Sequence, residues 1–281
     1  MRSRAGATRL RVRWTADLPL ALVLLAFVVP IIWMLVLAVE PDRIIISPAW
    51  SFEFTPSNVL ALLAEDQPFK AQMLNSIAIV LGTVALCGAA ATLAGYSLAK
   101  LHLPWWLKLP LLGACAVLPL LPPMALVPGF YVTLAQLGLL GSIPGLIILN
   151  TVLNLPFATL LMKLSFDEVS PSLREAAMID GAREVRVLFQ VILPLVAPGL
   201  ATMSLFTAIM TWNEFLMALT MTSGGTTAPL SVGIASMVQP YDIRWGQMAA
   251  AGSLAVVPII LLSLVANKKI IAGMTRGAVK G

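Results

Sequence analysis

Long uncharged runs punctuate this chain. Residues 18–39 are 22 consecutive uncharged positions between Asp17 and Glu40. At about 1.5 Å per residue, a helix of that length crosses a hydrocarbon core of roughly 30 Å. A cleaved signal peptide has a shorter apolar region, about 7–15 residues, ending in small residues. This run ends in Glu40-Pro41-Asp42, so an uncleaved helix is predicted. Further runs predict spans at 73–99, 107–131, 143–162, 192–221 and 246–267. The fourth is the shortest and is interrupted by Asn150, Asn154 and Pro156. Trp105 and Trp106 stand between the second and third runs, where an interfacial aromatic belt belongs. The predicted fold class is an all-α membrane protein with six transmembrane helices.

The charges orient these helices. Arg2, Arg4, Arg9, Arg11 and Arg13 precede the first run, and Lys100 and Lys108 lie between the second and third. Lys163, Arg174, Arg183 and Arg186 follow the fourth, and Lys268, Lys269, Arg276 and Lys280 follow the sixth. With six alternating helices, 15 of the 18 basic residues share one side, and Arg43, Lys70 and Arg244 face the other. Cytoplasmic loops carry the Lys/Arg excess, so both termini of this multi-pass chain are expected in the cytoplasm. A five- or seven-helix arrangement scatters the same charges over both faces. The expected organisation is a cytoplasmic segment at 1–17, a membrane domain at 18–267 with a large cytoplasmic loop at 165–191, and a cytoplasmic tail at 268–281. The outer segment 40–72, with four prolines and five acidic residues, reads as an exposed loop with short structured pieces.

Composition agrees with lipid as the solvent. The chain is 59% hydrophobic and 11% charged, against about 25% charged in soluble domains, and its mean hydropathy is +0.93. The net charge of +5 lies beside apolar runs, so it reads as topology and not as a nucleic-acid surface. Cys87 and Cys115 sit inside apolar runs with neither a disulfide framework nor zinc spacing. His102 is the single histidine and reads as an interfacial loop residue. No metal site or catalytic constellation is expected. The chain carries no G-x-x-x-x-G-K-[S/T] loop, so any ATP-driven activity requires an ATPase on another polypeptide, and no cofactor is expected on this one.

Residues 170–198, SPSLREAAMIDGAREVRVLFQVILPLVAP, form the most charged internal segment. Ser170 is a predicted N-cap with Pro171 at the first helical position. Gly181 allows a sharp turn, so a short helix, a bend and a second short helix leading to Leu193-Pro194 are predicted. Glu175-Ala176-Ala177, Asp180-Gly181-Ala182 and Leu193-Pro194 together resemble the EAA loop of bacterial ABC importer permeases, with Val191 in place of the usual isoleucine. Leu121-Pro122-Pro123, Gly138 to Gly141, Asn154-Leu155-Pro156-Phe157, Trp212-Asn213-Glu214-Phe215 and the terminal Gly273 to Gly281 are similar to the sugar-uptake branch of that family, in particular to the smaller permease of the maltose type.

That resemblance implies the type I importer fold with a coupling helix seated in a groove of a cytoplasmic ATPase. Glu175, Ala176, Ala177, Asp180, Gly181, Ala182 and Arg183 would form the contact. The two alanines would permit close approach, and Glu175 would meet a basic group. It further implies a second homologous permease subunit, two ATPase subunits consuming ATP and magnesium, and an extracytoplasmic substrate-binding protein, all around a chain embedded in membrane lipid. The terminal residues would reach toward the ATPase dimer interface.

Several polar residues fall inside the predicted spans. Ser204, Thr207, Thr211 and Glu214 follow i, i+3, i+7, i+10 and share one helical face. With Asn213, Asn150 and Asn154 they are candidates for lining a solute pathway, or for bonding helices to one another. Pro119, Pro122, Pro123 and Pro128 crowd the third span and predict a kink. A secondary transporter and an intramembrane enzyme are the alternative functions. The first usually needs ionisable groups near mid-membrane, where only an off-centre Glu214 qualifies. The second needs a Ser/His, paired Asp or metal arrangement, which the runs lack.

Overall fold

The structure is a computed structural model that describes residues 14–47, 51–223, 225–239 and 242–277. Arg2, Arg4, Arg9, Arg11 and Arg13, and the terminal Ala278, Val279, Lys280 and Gly281, lie outside the described residues. The chain opens with α1 (Trp14–Ala38), then two short helices, α2 (Asp42–Ile45) and α3 (Ser57–Leu62). A long α4 (Phe69–Lys100) leads to α5 (Trp105–Val117), α6 (Pro123–Gln136) and α7 (Ile143–Asp167). The loop that follows holds α8 (Pro171–Ile179), α9 (Glu184–Arg186), a π-helical turn over Val187–Ile192 and α10 (Leu193–Leu195). Next come α11 (Ala197–Trp212), α12 (Leu216–Thr222), α13 (Leu230–Ala235), an antiparallel hairpin of β1 (Val238–Gln239) and β2 (Asp242–Ile243), and α14 (Trp245–Gly277).

Among the described residues, four stretches are long and apolar enough to cross a membrane unbroken: Leu18–Ala38, Phe69–Lys100, Ile143–Asp167 and Trp245–Leu264. Two more crossings arise only if each of two bent pairs is one span. The third predicted span is broken by 107° between Trp105–Leu120 and Pro123–Gln136, far beyond a simple kink. Leu121 and Pro122 are both extended, with ψ of 135° and 126°. A proline disfavours the helical conformation in the residue before it, and Pro122-Pro123 applies that restriction twice. The helix therefore stops and restarts with Pro123 at its first turn.

The fifth predicted span, 192–221, also departs from a single helix. It bends by 80° between Glu184–Leu195 and Ala197–Trp212, and α11 ends at Trp212 before α12 begins at Leu216. Glu214 thus leaves the helical stripe predicted to contain it. The fourth span is instead continuous over 25 residues. Asn150 and Asn154 do not interrupt it, because each side-chain amide donates to the carbonyl four residues earlier, Leu146 at 2.9 Å and Asn150 at 2.8 Å.

The helices meet in three apolar clusters. One joins α4, α7, the π-turn and α11 through Cys87, Ala91, Tyr96, Met162, Phe166 and Ile192. A second lies toward the opposite end, where Ile79, Leu134, Leu149, Met217 and Met221 bring together α4, α6, α7 and α12. The third packs α1, α3 and α13 on α14 around Ala38, Leu62, Phe69, Leu230 and Ala250. The α4–α7 crossing is close because Gly95 lacks a side chain. A Cβ there would lie 2.8 Å from the Met162 Cβ and 2.9 Å from the Lys163 backbone nitrogen.

The segment after α1 is tied to the helix ends. Asn58 Nδ2 donates to the Ala38 and Glu40 carbonyls, and Asp42 Oδ1 accepts the Gly246 N–H at 2.7 Å. Cross-links at one end of α4 gather Lys100, Tyr96 and the 170–195 loop, whereas Asn75 and Ser76 at its other end hold residues 226–230. These two ends are called the loop end and the far end below.

Candidate functional site

At the loop end, α8 begins at Pro171 as the sequence predicts, but Ser170 makes no capping bond. Its hydroxyl lies 2.8 Å from that of Ser172 instead. The C-terminus of α8 is built by a Schellman motif. Gly181 N–H donates to the Met178 carbonyl and Ala182 N–H to the Ala177 carbonyl, both at 3.0 Å. The motif requires a left-handed residue, and Gly181 supplies it with φ of +81°. Ala177 and Ala182, the pair brought together by this turn, are partly buried against the α4–α7 cluster.

The two motif alanines therefore part company: Ala177 faces the bundle while Ala176 is exposed. Glu175, Asp180, Gly181 and Arg183 are exposed as well. Between them Leu173, Met178 and Ile179 are bared, and Ile179 keeps 87% of its surface. The outward side of α8 and its turn is thus an apolar patch edged by both signs of charge. Such a surface combines an area worth burying with groups that set orientation.

Sequence reasoning missed what fastens this loop. Arg174 on α8 forks onto Glu184, Nε to Oε1 at 2.8 Å and Nη2 to Oε2 at 2.9 Å. The Tyr96 hydroxyl, from α4, donates to the same Glu184 Oε1 at 2.5 Å. The Arg174 guanidinium, aided by the tyrosine hydroxyl, holds the Glu184 carboxyl below the usual carboxylate range against the opposing effect of burial. Lys100 Nζ adds a bond to the Val169 carbonyl at 2.6 Å. Nothing in the local pattern links Tyr96 to a loop 88 residues away.

The polar residues of the spans separate into distinct places. Asn150, Thr211 and Glu214 converge with Ser76 on a cavity of about 10 Å³, the size of one water molecule. The Thr211 hydroxyl is buried there without a hydrogen-bond partner. Glu214 caps α12, its Oε1 accepting the Met217 N–H at 2.7 Å and its Oε2 the Ala218 N–H at 2.8 Å. Thr207 is buried against Met203, 3.7 Å from its sulfur. Ser204 opens instead onto an apolar groove of about 320 Å³ among α4, α11 and α14. Asn154 is half-buried, and Asn213 returns its amide to the Ile209 carbonyl at 2.8 Å. Among the described residues no three His, Cys, Asp or Glu side chains gather to hold a metal ion.

The chain has counterparts among known proteins. Residues 91–276 match the family described as "Binding-protein-dependent transport system inner membrane component". The chain is 34% identical to the sulfoquinovosyl glycerol transport system permease protein SmoH of Agrobacterium fabrum, over 90% of this chain and 88% of that one. It is 31% identical to the trehalose transport system permease protein SugB of Mycobacterium tuberculosis, covering 90% and 92% of the two chains. A 30% identity to the trehalose/maltose transport system permease protein MalG of Thermococcus litoralis covers 90% and 91%. In fold it is similar to a chain of a bacterial ABC transporter involved in the import of the acidic polysaccharide alginate, with a TM-score of 0.78 at 22% identity over 90% and 94% of the chains. The match across 91–276 and relatives above 30% identity along nine-tenths of the chain show that it belongs to the family of inner-membrane components of binding-protein-dependent transport systems, the multi-pass, non-catalytic permeases of ABC importers.

Proposed function

We propose that this permease carries a sugar or sugar-like solute and forms one half of the pathway, the other half coming from a second homologous permease. The family itself implies an ATPase and a binding protein as partners. In this reading two ATPase subunits, using ATP and magnesium, bind beneath the loop end, and the binding protein docks at the far end. The carbohydrate names of three relatives support the solute class.

The observation that carries the coupling role is the outward side of α8, where Glu175, Ala176 and Asp180 surround the bared Met178 and Ile179. Closing of the ATPase dimer would push this surface and open the helices in alternation. Asn150, Asn154, Ser204, Thr207, Thr211, Asn213 and Glu214 remain the candidate pathway residues. Asn213 is exposed and Ser204, Asn154 and Glu214 are partly so without parting helices of this chain. Thr207, Thr211 and Asn150 would reach a solute only after the bundle rearranges, because they are buried within it.

The purified complex tests this reading. ATPase subunits are expected to co-purify, and a panel of mono- and disaccharides, sugar alcohols and glycosyl glycerols, each with the binding protein, is expected to contain a stimulator of hydrolysis. Stimulation by none of them overturns the solute class. Both termini and α8 are taken as cytoplasmic, from the 15-to-3 division of basic residues. With Cys87 and Cys115 replaced, a cysteine at Ser57 is expected to react with an impermeant maleimide from outside, and one at Ser172 only after the membrane is opened. Outside labelling at Ser172 would reverse the topology.

A further inference from the structure

We propose that Tyr96, Glu184 and Arg174 form the joint through which movement of the 170–195 loop reaches the membrane helices, and that α4 carries it to the far end. The proposal rests on the coupling reading above and assigns positioning residues to it. Ala177 and Ala182 touch the bundle through small apolar surfaces, and Val187, Leu188 and Ile192 are buried in it; apolar contacts of this kind are non-directional. The directional contacts are those of Glu184. One carboxylate accepts both prongs of the Arg174 fork and the Tyr96 hydroxyl. Charge-assisted, bidentate bonds fix orientation as well as distance. A displacement of α8 therefore pulls on α4 or breaks them.

The α4 side of the joint is firm. The Tyr96 ring stands edge-on to Phe166 of α7, with centroids 5.5 Å apart and planes at 79°, and Phe166 is fully buried. Lys100 adds its bond to Val169 one turn further along. α4 is unbroken over its 32 residues, and the stretch from Tyr96 to Asn75 spans about 32 Å at 1.5 Å per residue. It contains no proline, whereas α1, α5, α6, α7 and α14 each hold one or two in their interior and α11 has one in its first turn. Prolines are where helices most often kink, and α4 has no such site. At its far end Asn75 Nδ2 donates to the Thr226 and Ala228 carbonyls, at 2.9 and 3.1 Å, and Ser76 Oγ accepts the Leu230 N–H at 2.8 Å. One rod is thus bonded to the loop at one end and to the segment between α12 and α13 at the other.

The test follows the far end while disturbing the joint. In the assembled complex lacking Cys87 and Cys115, the reactivity of Thr226→Cys toward an impermeant maleimide is measured without nucleotide and with ATP, magnesium and vanadate. Thr226 is exposed, and its bond to Asn75 uses only the backbone. Nucleotide is expected to change the labelling rate by about threefold or more. Tyr96→Phe removes only the hydroxyl and keeps the ring on Phe166, while Arg174→Gln removes the fork outside the lipid. Both are expected to retain bound ATPase and hydrolysis but to lose most of the nucleotide-dependent change. A full change in both variants, or no change in the parent complex, overturns the proposal. Loss of membrane accumulation by both variants also overturns it, by making the cluster a folding tie. Glu175→Lys separates this from the coupling reading. If that variant and Gly181→Val both keep the ATPase and full uptake, the coupling surface itself is wrong. If it loses the ATPase while Tyr96→Phe and Arg174→Gln behave as the parent, only the joint is wrong.

Discussion

Gly181→Val is expected to abolish solute uptake while leaving the membrane helices folded. The cause is conformational, since a Cβ at this position meets nothing within 4 Å. Gly181 sits at φ +81° as the left-handed residue of the turn closing α8. An L-residue there costs about 1–2 kcal/mol, and a β-branched one is a genuine outlier. Strain of that order shifts the population of the formed turn by about tenfold or more. The turn holds the Gly181–Met178 and Ala182–Ala177 bonds. Losing it rotates Ala182 off the bundle and Glu175, Met178 and Ile179 out of their present arrangement. Asparagine tolerates the left-handed region better than other non-glycine residues, so Gly181→Asn is expected to retain much of the uptake. Glu175→Lys keeps the turn and reverses one exposed charge, and is expected to weaken ATPase attachment directly. The measurements are ATPase co-purification, hydrolysis and uptake in vesicles. Full uptake in both Gly181→Val and Glu175→Lys would remove the loop from coupling.

Four of the spans were legible because lipid imposes a coarse rule, and an apolar run of about 20 residues can be counted. The turn at Gly181 was equally plain, since a glycine between Asp180 and Ala182 at the end of an amphipathic helix marks a left-handed stop. The 80° bend before α11 was hidden because hydropathy measures what a helix can be dissolved in, not its direction. Residues 192–195, counted as the start of the fifth span, belong to the segment before the bend. The 107° break was half visible in Pro122-Pro123, which says that a helix stops but not where the next one goes.

Among the candidate pathway residues, periodicity correctly put Thr207 and Thr211 on one face of α11 but could not say what that face meets. It meets α4 and α7 of the same chain, and both threonines are buried. Glu214 was counted as one more turn of α11, yet its carboxylate caps the next helix. The Tyr96–Glu184–Arg174 cluster left no local signal. Gly88, Ala91 and Gly95 on α4 did leave one, a small-residue stripe of the sort that lets membrane helices approach.

Gly95→Leu is expected to separate the loop ends of α4 and α7 and to destabilise the membrane domain itself. The ideal Cβ at Gly95 would stand 2.8 Å from the Met162 Cβ, 2.9 Å from the Lys163 nitrogen and 3.1 Å from the Met162 carbonyl carbon. Two of these three atoms are backbone, so no side-chain rotation relieves the contact. Met162 itself is fully buried. Leucine adds three further carbons to the same place, and overpacking of this sort costs about 1–3 kcal/mol or more. In lipid the loss is not recovered by apolar burial, because acyl chains solvate the parted faces as well as the helices solvated each other. Dispersion across the close crossing is what disappears. The displacement begins one residue from Tyr96, so the bond to Glu184 is expected to go with it. In detergent, Gly95→Leu is expected to lower the melting temperature by about 5 °C or more and to broaden the size-exclusion peak, with Gly95→Ala between it and the parent. Gly113 on α5 has nothing within 4 Å of its Cβ position, and Gly113→Leu is expected to melt like the parent when the chain is studied alone. Parent-like melting of Gly95→Leu would mean that α4 and α7 do not cross this closely, and the path from the loop through α4 would lose its support.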